Sequence, residues 1–381
     1  MTYITVKQSP MYHQMSLEEF LFGIEGPKLP LNQNLTNTRT YEVLFVTDHM
    51  RRKLGISPYH LIDKLTEFNK NTEELRQRPR RELYREFHIP KKHGGLRKID
   101  APNDELMDAL RVLKRIFEDD FKVLYHTSAF AYIKKRGTID SIKRHQSNES
   151  RWFAKFDLHN FFGSTTLDFI MQMFSMVYPF SEVVKHQAGA EELRKALELA
   201  ILDGGLPQGT PISPMITNIM MIPIDFKLSN GLRDFNDQHF VYTRYADDFL
   251  ISSRFHFKFR DVEKFINDTL AGFNAPFSLN TSKTRYGSLS GSNWNLGVML
   301  NKDNQITVGH EKKRHFKAML TSFILDTQNG NPWDINDIQV MEGYRNYYRM
   351  VEGETIDKLV NDIGAKYHVD VVRMIKDSLK P

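Results

Sequence analysis

Phe240-Val241-Tyr242-Thr243-Arg244-Tyr245-Ala246-Asp247-Asp248-Phe249-Leu250-Ile251-Ser252 is the stretch from which the fold can be read. Aromatic and β-branched residues fill both halves, and the short acidic break suits a tight turn. The pattern predicts two antiparallel strands, 240–245 and 249–252, joined at Ala246-Asp247-Asp248. Upstream, Trp152-Phe153-Ala154-Lys155-Phe156-Asp157-Leu158 is short and aromatic-rich, as a buried strand is, and it too ends in a carboxylate. An Asp-Asp turn alone is more often just a solvated turn. If the three strands are neighbours, however, Asp157, Asp247 and Asp248 form the kind of hard-oxygen donor set that magnesium takes together with phosphate oxygens and water.

Composition narrows the alternatives. A chain of 381 residues, 40% of them hydrophobic, can bury a substantial core and divide into two or three parts. With 52 Lys and Arg against 47 Asp and Glu, the formal charge of +5 is compatible with a nucleic-acid partner without demonstrating one. The absence of cysteine excludes disulfides, thiolate zinc sites, iron–sulfur clusters and a cysteine nucleophile. His310-Glu311 and His315 look superficially like a zinc-protease helix, but histidines five apart do not share a helical face. The first residues lack the basic and apolar regions of a signal peptide, and no run approaches the roughly 20 apolar residues that span a bilayer. The expectation is a cytoplasmic protein without a membrane partner.

Working outward, Lys91-Lys92-His93-Gly94-Gly95-Leu96-Arg97-Lys98-Ile99-Asp100 reads as a basic hairpin before a helix over 104–119, and a further helix is expected over 166–177. Apolar spacing predicts helices over 312–326, 334–351 and 355–379. Residues 1–80 read as an N-terminal helical extension, with an amphipathic stretch at 17–24, a Pro/Asn/Thr-rich linker at 26–39 and a helix at 58–68. Tyr12, His13, Arg51, Arg52 and Lys53 are its candidates for contact with RNA or another subunit.

Three segments, in order, resemble the palm motifs of reverse transcriptases: Phe156-Asp157-Leu158-His159-Asn160-Phe161-Phe162, then Leu206-Pro207-Gln208-Gly209-Thr210-Pro211-Ile212-Ser213-Pro214, then Tyr245-Ala246-Asp247-Asp248. The resemblance implies an α+β right-hand polymerase fold. Its fingers and palm, an antiparallel sheet with helices, would occupy 81–300, and a helical thumb 301–381. It also implies two-metal phosphoryl transfer from dNTPs, with two Mg2+ ions, Mn2+ as a substitute, held by Asp157, the Leu158 backbone, Asp247 and Asp248. Lys283, in Asn280-Thr281-Ser282-Lys283-Thr284, resembles the lysine that meets the leaving pyrophosphate as general acid.

By the same resemblance Arg97, with Lys91 or Lys92, clasps the triphosphate, for which the planar guanidinium fork is suited. Asn160 and Phe161 offer backbone amides to it, and Gln208 lies near the nascent base pair. Phe162 stands under the sugar, where a phenyl ring excludes a ribose 2′-hydroxyl and so favours DNA synthesis. Tyr245 and the Trp294-Asn295-Leu296-Gly297-Val298 hairpin, Leu296 and Gly297 within it, resemble elements that hold the primer end. Lys312, Lys313, Arg314 and Lys317 open a basic helix that in relatives tracks the phosphate backbone.

Within the family, the chain leaves no room for a ribonuclease H domain or a maturase region, and its Leu-Pro-Gln-Gly segment is intact. Ser141-Ile142-Lys143-Arg144-His145 keeps only the histidine of the retron Asn-Ala-x-x-His element, and Asn295-Leu296-Gly297 stands where retrons carry Val-Thr-Gly. These departures favour a defence-associated bacterial enzyme that copies a structured noncoding RNA into DNA, with a homo-oligomer or an operon-encoded protein as further partner. The alternatives are a retron enzyme making a branched RNA–DNA product and an inactive RNA-binding scaffold.

Overall fold

The computed structural model describes residues 55–90, 94–233, 235, 239–289, 294 and 297–380. The expectations for residues 1–54, Lys91, Lys92 and Leu296 lie outside these described residues. Helix α1 (Pro58–Asn71) carries proline in its first turn, where the missing N–H would go unused, and buries Leu61, Leu65 and Phe68 along one face. Strands β1 (Tyr84–Pro90) and β2 (Leu96–Pro102) form an antiparallel hairpin pairing Ile89 with Arg97 and Phe87 with Ile99.

Helix α2 (Asp104–Arg115) is capped by Asn103, whose side chain accepts from Leu106 N at 3.0 Å. The single helix expected over 104–119 ends early. It widens into a π turn over Ile116–Asp120, closed by Phe121 N donating to Ile116 O at 3.1 Å. That turn buries Phe117 and Phe121 against Phe180, with ring centroids 5.1 and 4.5 Å away.

Helix α3 (Thr138–Ser147) precedes β3 (Trp152–Asp157). The short α4 (Phe161–Ser164) and α5 (Leu167–Phe174) follow, the latter capped by Thr166 accepting from Phe169 N at 3.3 Å. Then come α6 (Gln187–Glu198), α7 (Ser213–Met220) and α8 (Ile222–Arg233). Strands β4 (Val241–Tyr245) and β5 (Asp248–Ser253) match the expected hairpin, α9 (Phe259–Gly272) follows, and β6 (Arg285–Ser288) completes a four-stranded sheet of order β4-β5-β3-β6.

The chain divides into two compact units, the first made of the described residues in 1–136, 154–251 and 257–285, the second of those in 137–153, 252–256 and 286–381. In the first, apolar strand residues Phe156, Phe249 and Ile251 are fully buried, and Phe156 stacks on Phe259 at 5.4 Å. The second contains α3, whose His145 is fully buried with Nδ1 2.6 Å from Ser252 Oγ. Burial pushes that imidazole down to about 3, so it stays neutral.

The second unit continues with the two-residue strands β7 (Met299–Leu300) and β8 (Ile306–Thr307), then α10 (His310–Gln328), α11 (Ile335–Tyr367) and α12 (Val371–Ser378). Phe316, Leu320, Phe323, Met341 and Ile356 centre its own apolar core. The break expected between 351 and 355 is a kink inside α11 at Glu352, where φ is −144° and ψ 63°. Its carboxylate accepts from Val308 N, Thr307 Oγ1 and Lys313 Nζ, each at 2.9 Å, so the kink is held by specific bonds.

Candidate active site

Two strand ends make the site. Asp157 closes β3, and Ala246 and Asp247 form the turn between β4 and β5, with Asp248 opening β5. Leu158 N donates to Asp247 O at 3.0 Å, and Asn280 N to Asp157 O at 2.7 Å, which brings the two carboxylate-bearing segments and the Asn280–Lys283 segment side by side. Ala246 turns in the left-handed region at φ 58°, a conformation that costs a residue with a Cβ roughly 1–2 kcal/mol.

That strained turn is held from below. Arg244 and Asp225, both fully buried, form a two-pronged ion pair: Nε donates to Oδ1 and Nη2 to Oδ2, each at 2.8 Å. Tyr242 OH donates to Asp225 Oδ1 at 2.7 Å, and burial pushes its phenol well above the ordinary range. The remaining nitrogen, Arg244 Nη1, donates to Ala246 O at 3.2 Å and to Asn218 Oδ1 at 3.1 Å, and Asn218 Nδ2 donates to Ala131 O at 2.8 Å. None of Arg244, Asp225 and Asn218 is singled out in the sequence. Their signal was an arginine and an aspartate inside otherwise apolar segments.

Charge at the surface of the site is arranged in pairs. Lys283 Nζ lies 2.9 and 3.0 Å from the two oxygens of Asp157, with Asn280 Nδ2 at 3.2 Å from Oδ1. Lys155 Nζ lies 2.8 Å from Asp248 Oδ2. Lys155 is two residues before Asp157 and so on the same face of β3, and its signal in the sequence is a polar interruption of an apolar strand. Asp247 is different: burial first, and then the neighbouring Asp248 and Asp157 carboxylates, push its pKa up to about 6. Among the described residues no three His, Asp or Glu side chains converge as a preformed cage. The donor set nevertheless fits a divalent cation arriving with phosphates, since it offers only carboxylate oxygens and their mutual repulsion falls when a cation enters.

The other predicted residues fall into place around this centre or away from it. Arg97 is exposed on β2. Gln208 O accepts from Asp100 N at 2.9 Å, with the glutamine residue exposed, and Gly209 at φ 124° approaches β2 so closely that a Cβ would lie 2.9 Å from Asp100 O. Asn160 is left-handed at φ 47° and half-buried Phe162 meets Phe161 edge-on at 5.5 Å. Leu206 N donates to Phe162 O at 3.0 Å, and a Cβ on Gly205 would come within 2.1 Å of Gly163 O.

Tyr245 is half-buried. In the second unit Lys312 Nζ donates to Gly297 O at 2.6 Å and Lys313 Nζ to Glu352 at 2.9 Å, so both lysines have partners within the protein, whereas Arg314 and Lys317 are exposed.

Residues 89–316 match the family model described as reverse transcriptase (RNA-dependent DNA polymerase). The chain is similar to the retron Ec73 reverse transcriptase of Escherichia coli, 25% identical over 310 residues that cover 79% of this chain and 93% of that one. It is also similar to the retron Ec83 reverse transcriptase of Escherichia coli, 26% identical over 308 residues, 77% and 89% of the two chains. Among solved structures, apo telomerase from Candida tropicalis truncated from its C-terminal domain aligns with a TM-score of 0.39 and 12% identity, covering 57% of this chain and 53% of that one. No described helix is long and apolar enough to cross a membrane.

Two outcomes follow from the site's electrostatics. Replacing Arg244 by Met strands Asp225 as a buried charge and is expected to cost about 3–5 kcal/mol, read as a lowered urea midpoint; an unchanged midpoint would refute the supporting role. Because its folded-state pKa is raised from 3.8 to about 6, Asp247 destabilises the metal-free fold as pH rises through that interval. Asp247→Asn should therefore raise the Tm at about pH 8, with a smaller gain at about pH 4.5, in melts with chelator present. A gain independent of pH would contradict the raised value.

Proposed function

The chain belongs to the reverse transcriptase (RNA-dependent DNA polymerase) family, and on that premise we propose that Asp157, Asp247 and Asp248 are the carboxylates through which it makes phosphodiester bonds. Its activity is RNA-directed DNA synthesis, with RNA as template and DNA as product. Its architecture is the α+β right-hand polymerase fold, and its family is metal-dependent. The observation that carries the site assignment is the side-by-side placement of the β3 end and the β4–β5 turn, joined by the Leu158–Asp247 hydrogen bond.

Two magnesium ions, with manganese as substitute, would be held by the three aspartates and the Leu158 backbone, and would supply activation of the 3′-hydroxyl and neutralisation of the triphosphate. The protein's own groups do the rest. Lys283, in contact with Asp157 yet 62% exposed at its side chain, can swing to the leaving pyrophosphate as general acid. Arg97, with Lys91 and Lys92, clasps the triphosphate, and the Asn160 and Phe161 amides cradle it. Gln208 faces the nascent pair, and Phe162 blocks a 2′-hydroxyl.

Tyr245, Leu296 and Gly297 hold the primer end, the Gly297 carbonyl being pinned by Lys312. Exposed Arg314 and Lys317 remain for phosphates, while Lys312 and Lys313 would have to leave their internal partners to contribute. The parts are assigned as an N-terminal extension over 1–80, fingers and palm over 81–300, and a thumb over 301–381.

We further propose a structured noncoding RNA as template and a role in antiviral defence in the cytoplasm, with a second copy or an operon-encoded protein as partner. Similarity over 93% of a retron enzyme favours, as the second reading, a retron enzyme making a branched RNA–DNA product, despite the departures at 141–145 and 295–297. An inactive scaffold would be expected to lack a carboxylate, and none is missing.

With an RNA template, DNA primer, magnesium and labelled dNTPs, the Asp247→Ala, Asp248→Ala double variant should lose synthesis by at least about a thousandfold while retaining its fold and RNA binding. Retained synthesis would overturn the assignment. Phe162→Ala should raise ribonucleotide use relative to deoxynucleotide use, and an unchanged ratio of kcat/KM values would remove Phe162 from sugar selection. Sequencing RNA and DNA co-purified with the protein tests the template: DNA complementary to one enriched RNA supports a dedicated noncoding template, and branched RNA–DNA supports the retron reading.

A further inference from the structure

Tyr132 is an aromatic residue that the fold places beside the catalytic turn and leaves uncovered. The segment before it runs parallel to β4: Ala129 pairs with Arg244, Arg244 N donates to Ser128 O at 2.6 Å, and Phe130 N donates to Arg244 O at 2.9 Å. Three residues past Ala129 is Tyr132, and three past Arg244 is Asp247. The register is fixed further on, because Ala131 O and Ala246 O are both held by the same side-chain pair. Asn218 donates to the first, and Arg244 donates to the second and to Asn218 itself.

After this clamped stretch, in which Phe130 and Ala131 are 4% and 0% exposed, Tyr132 turns outward. It has φ 60° and is 60% exposed. A tyrosine in the left-handed region is costly, and such outliers are retained where the surroundings impose them, often at functional sites. Its phenol pKa is pushed up by burial first, then by Asp247 and Tyr245, and is pulled down by Arg97. The register with β4 carries Tyr132 alongside Asp247, and the influence of Asp247 and Arg97 on its phenol agrees with that placement.

We propose that Tyr132 is the aromatic wall of the nucleotide pocket, its ring face stacking on the incoming base as the nascent pair forms beside Asp247 and Arg97. This rests on the polymerase reading above. The chemistry fits the position: a triphosphate directed to Arg97 and the carboxylates brings its base to the rim, where a planar apolar face is needed and a charged group would be wasted. Stacking accepts every base, so Tyr132 contributes affinity without selecting sequence. Tyr132 thus acts on binding of the nucleotide and leaves the chemical step to the carboxylates.

The test is incorporation of each of the four dNTPs opposite its complement on an RNA template with a DNA primer, by the full chain and by Tyr132→Ala, Tyr132→Leu and Tyr132→Phe. Loss of one stack should raise the dNTP KM of the Ala variant roughly tenfold to a hundredfold for all four nucleotides, with kcat within a fewfold of wild type. Leu, which keeps bulk without a π face, should fall between, and Phe should restore wild-type KM. Thermal melts identify a variant that has not folded, and the remaining variants then decide.

Unchanged KM in the Ala or Leu variant, a loss confined to kcat, or a Phe variant as impaired as Ala would each overturn the stacking role while polymerisation stands. Absence of incorporation by the wild-type chain would overturn the polymerase reading, and the role of Tyr132 with it.

Discussion

The buried ion pair between Arg244 and Asp225 is the constraint on which the Ala246-Asp247 turn depends. Two fully buried charges are expensive to desolvate, and here every prong of the guanidinium is used: two toward Asp225, the third shared by Asn218 and the Ala246 carbonyl. A pair of apolar residues could fill the same volume at comparable stability, but it could not grip the turn carbonyl. The pair therefore contributes placement more than free energy. Through it, α7, α8, β4 and the segment ending at Ala131 all bear on two residues of backbone, Ala246 and Asp247.

Charge balance is the second organising principle. Three carboxylates drawn together repel one another, and the fold answers unevenly: Lys283 and Lys155 attend Asp157 and Asp248, whereas Asp247 takes the raised pKa. Two lysines placed this way keep the acidic centre from dominating its own fold, and on the proposed reading a divalent cation would compete with them for the same oxygens.

Much of this was legible in the sequence where a single period or turn governs a segment. The alternation on either side of Asp247-Asp248, the carboxylate closing β3, and the break before Thr355 all appear at the expected places, because each is decided by local patterning. The shortening of α2 was not legible, since the π turn at Ile116–Asp120 answers to distant aromatic partners such as Phe180. The Arg244, Asp225 and Asn218 network was also hidden, because three polar residues in apolar segments acquire meaning only when the helices and the strand are brought together. Lys312 and Lys313 show the reverse case: a basic run reads as a nucleic-acid contact, but its internal partners, the Gly297 carbonyl and Glu352, come from residues well separated in sequence.

The approach of Gly205 to Gly163 has a consequence for how such a chain can change over generations. Backbone there rests on backbone, with the Leu206–Phe162 hydrogen bond alongside, so no side chain stands between the segment that follows Asp157 and the one that carries Gln208. The segment that carries Gln208 cannot gain even a methyl group at Gly205 without displacing the backbone of Gly163. The two motifs are thereby linked as one heritable unit: substitutions around them are expected to covary, and a motif transplanted from a distant relative should function only when its counterpart travels with it.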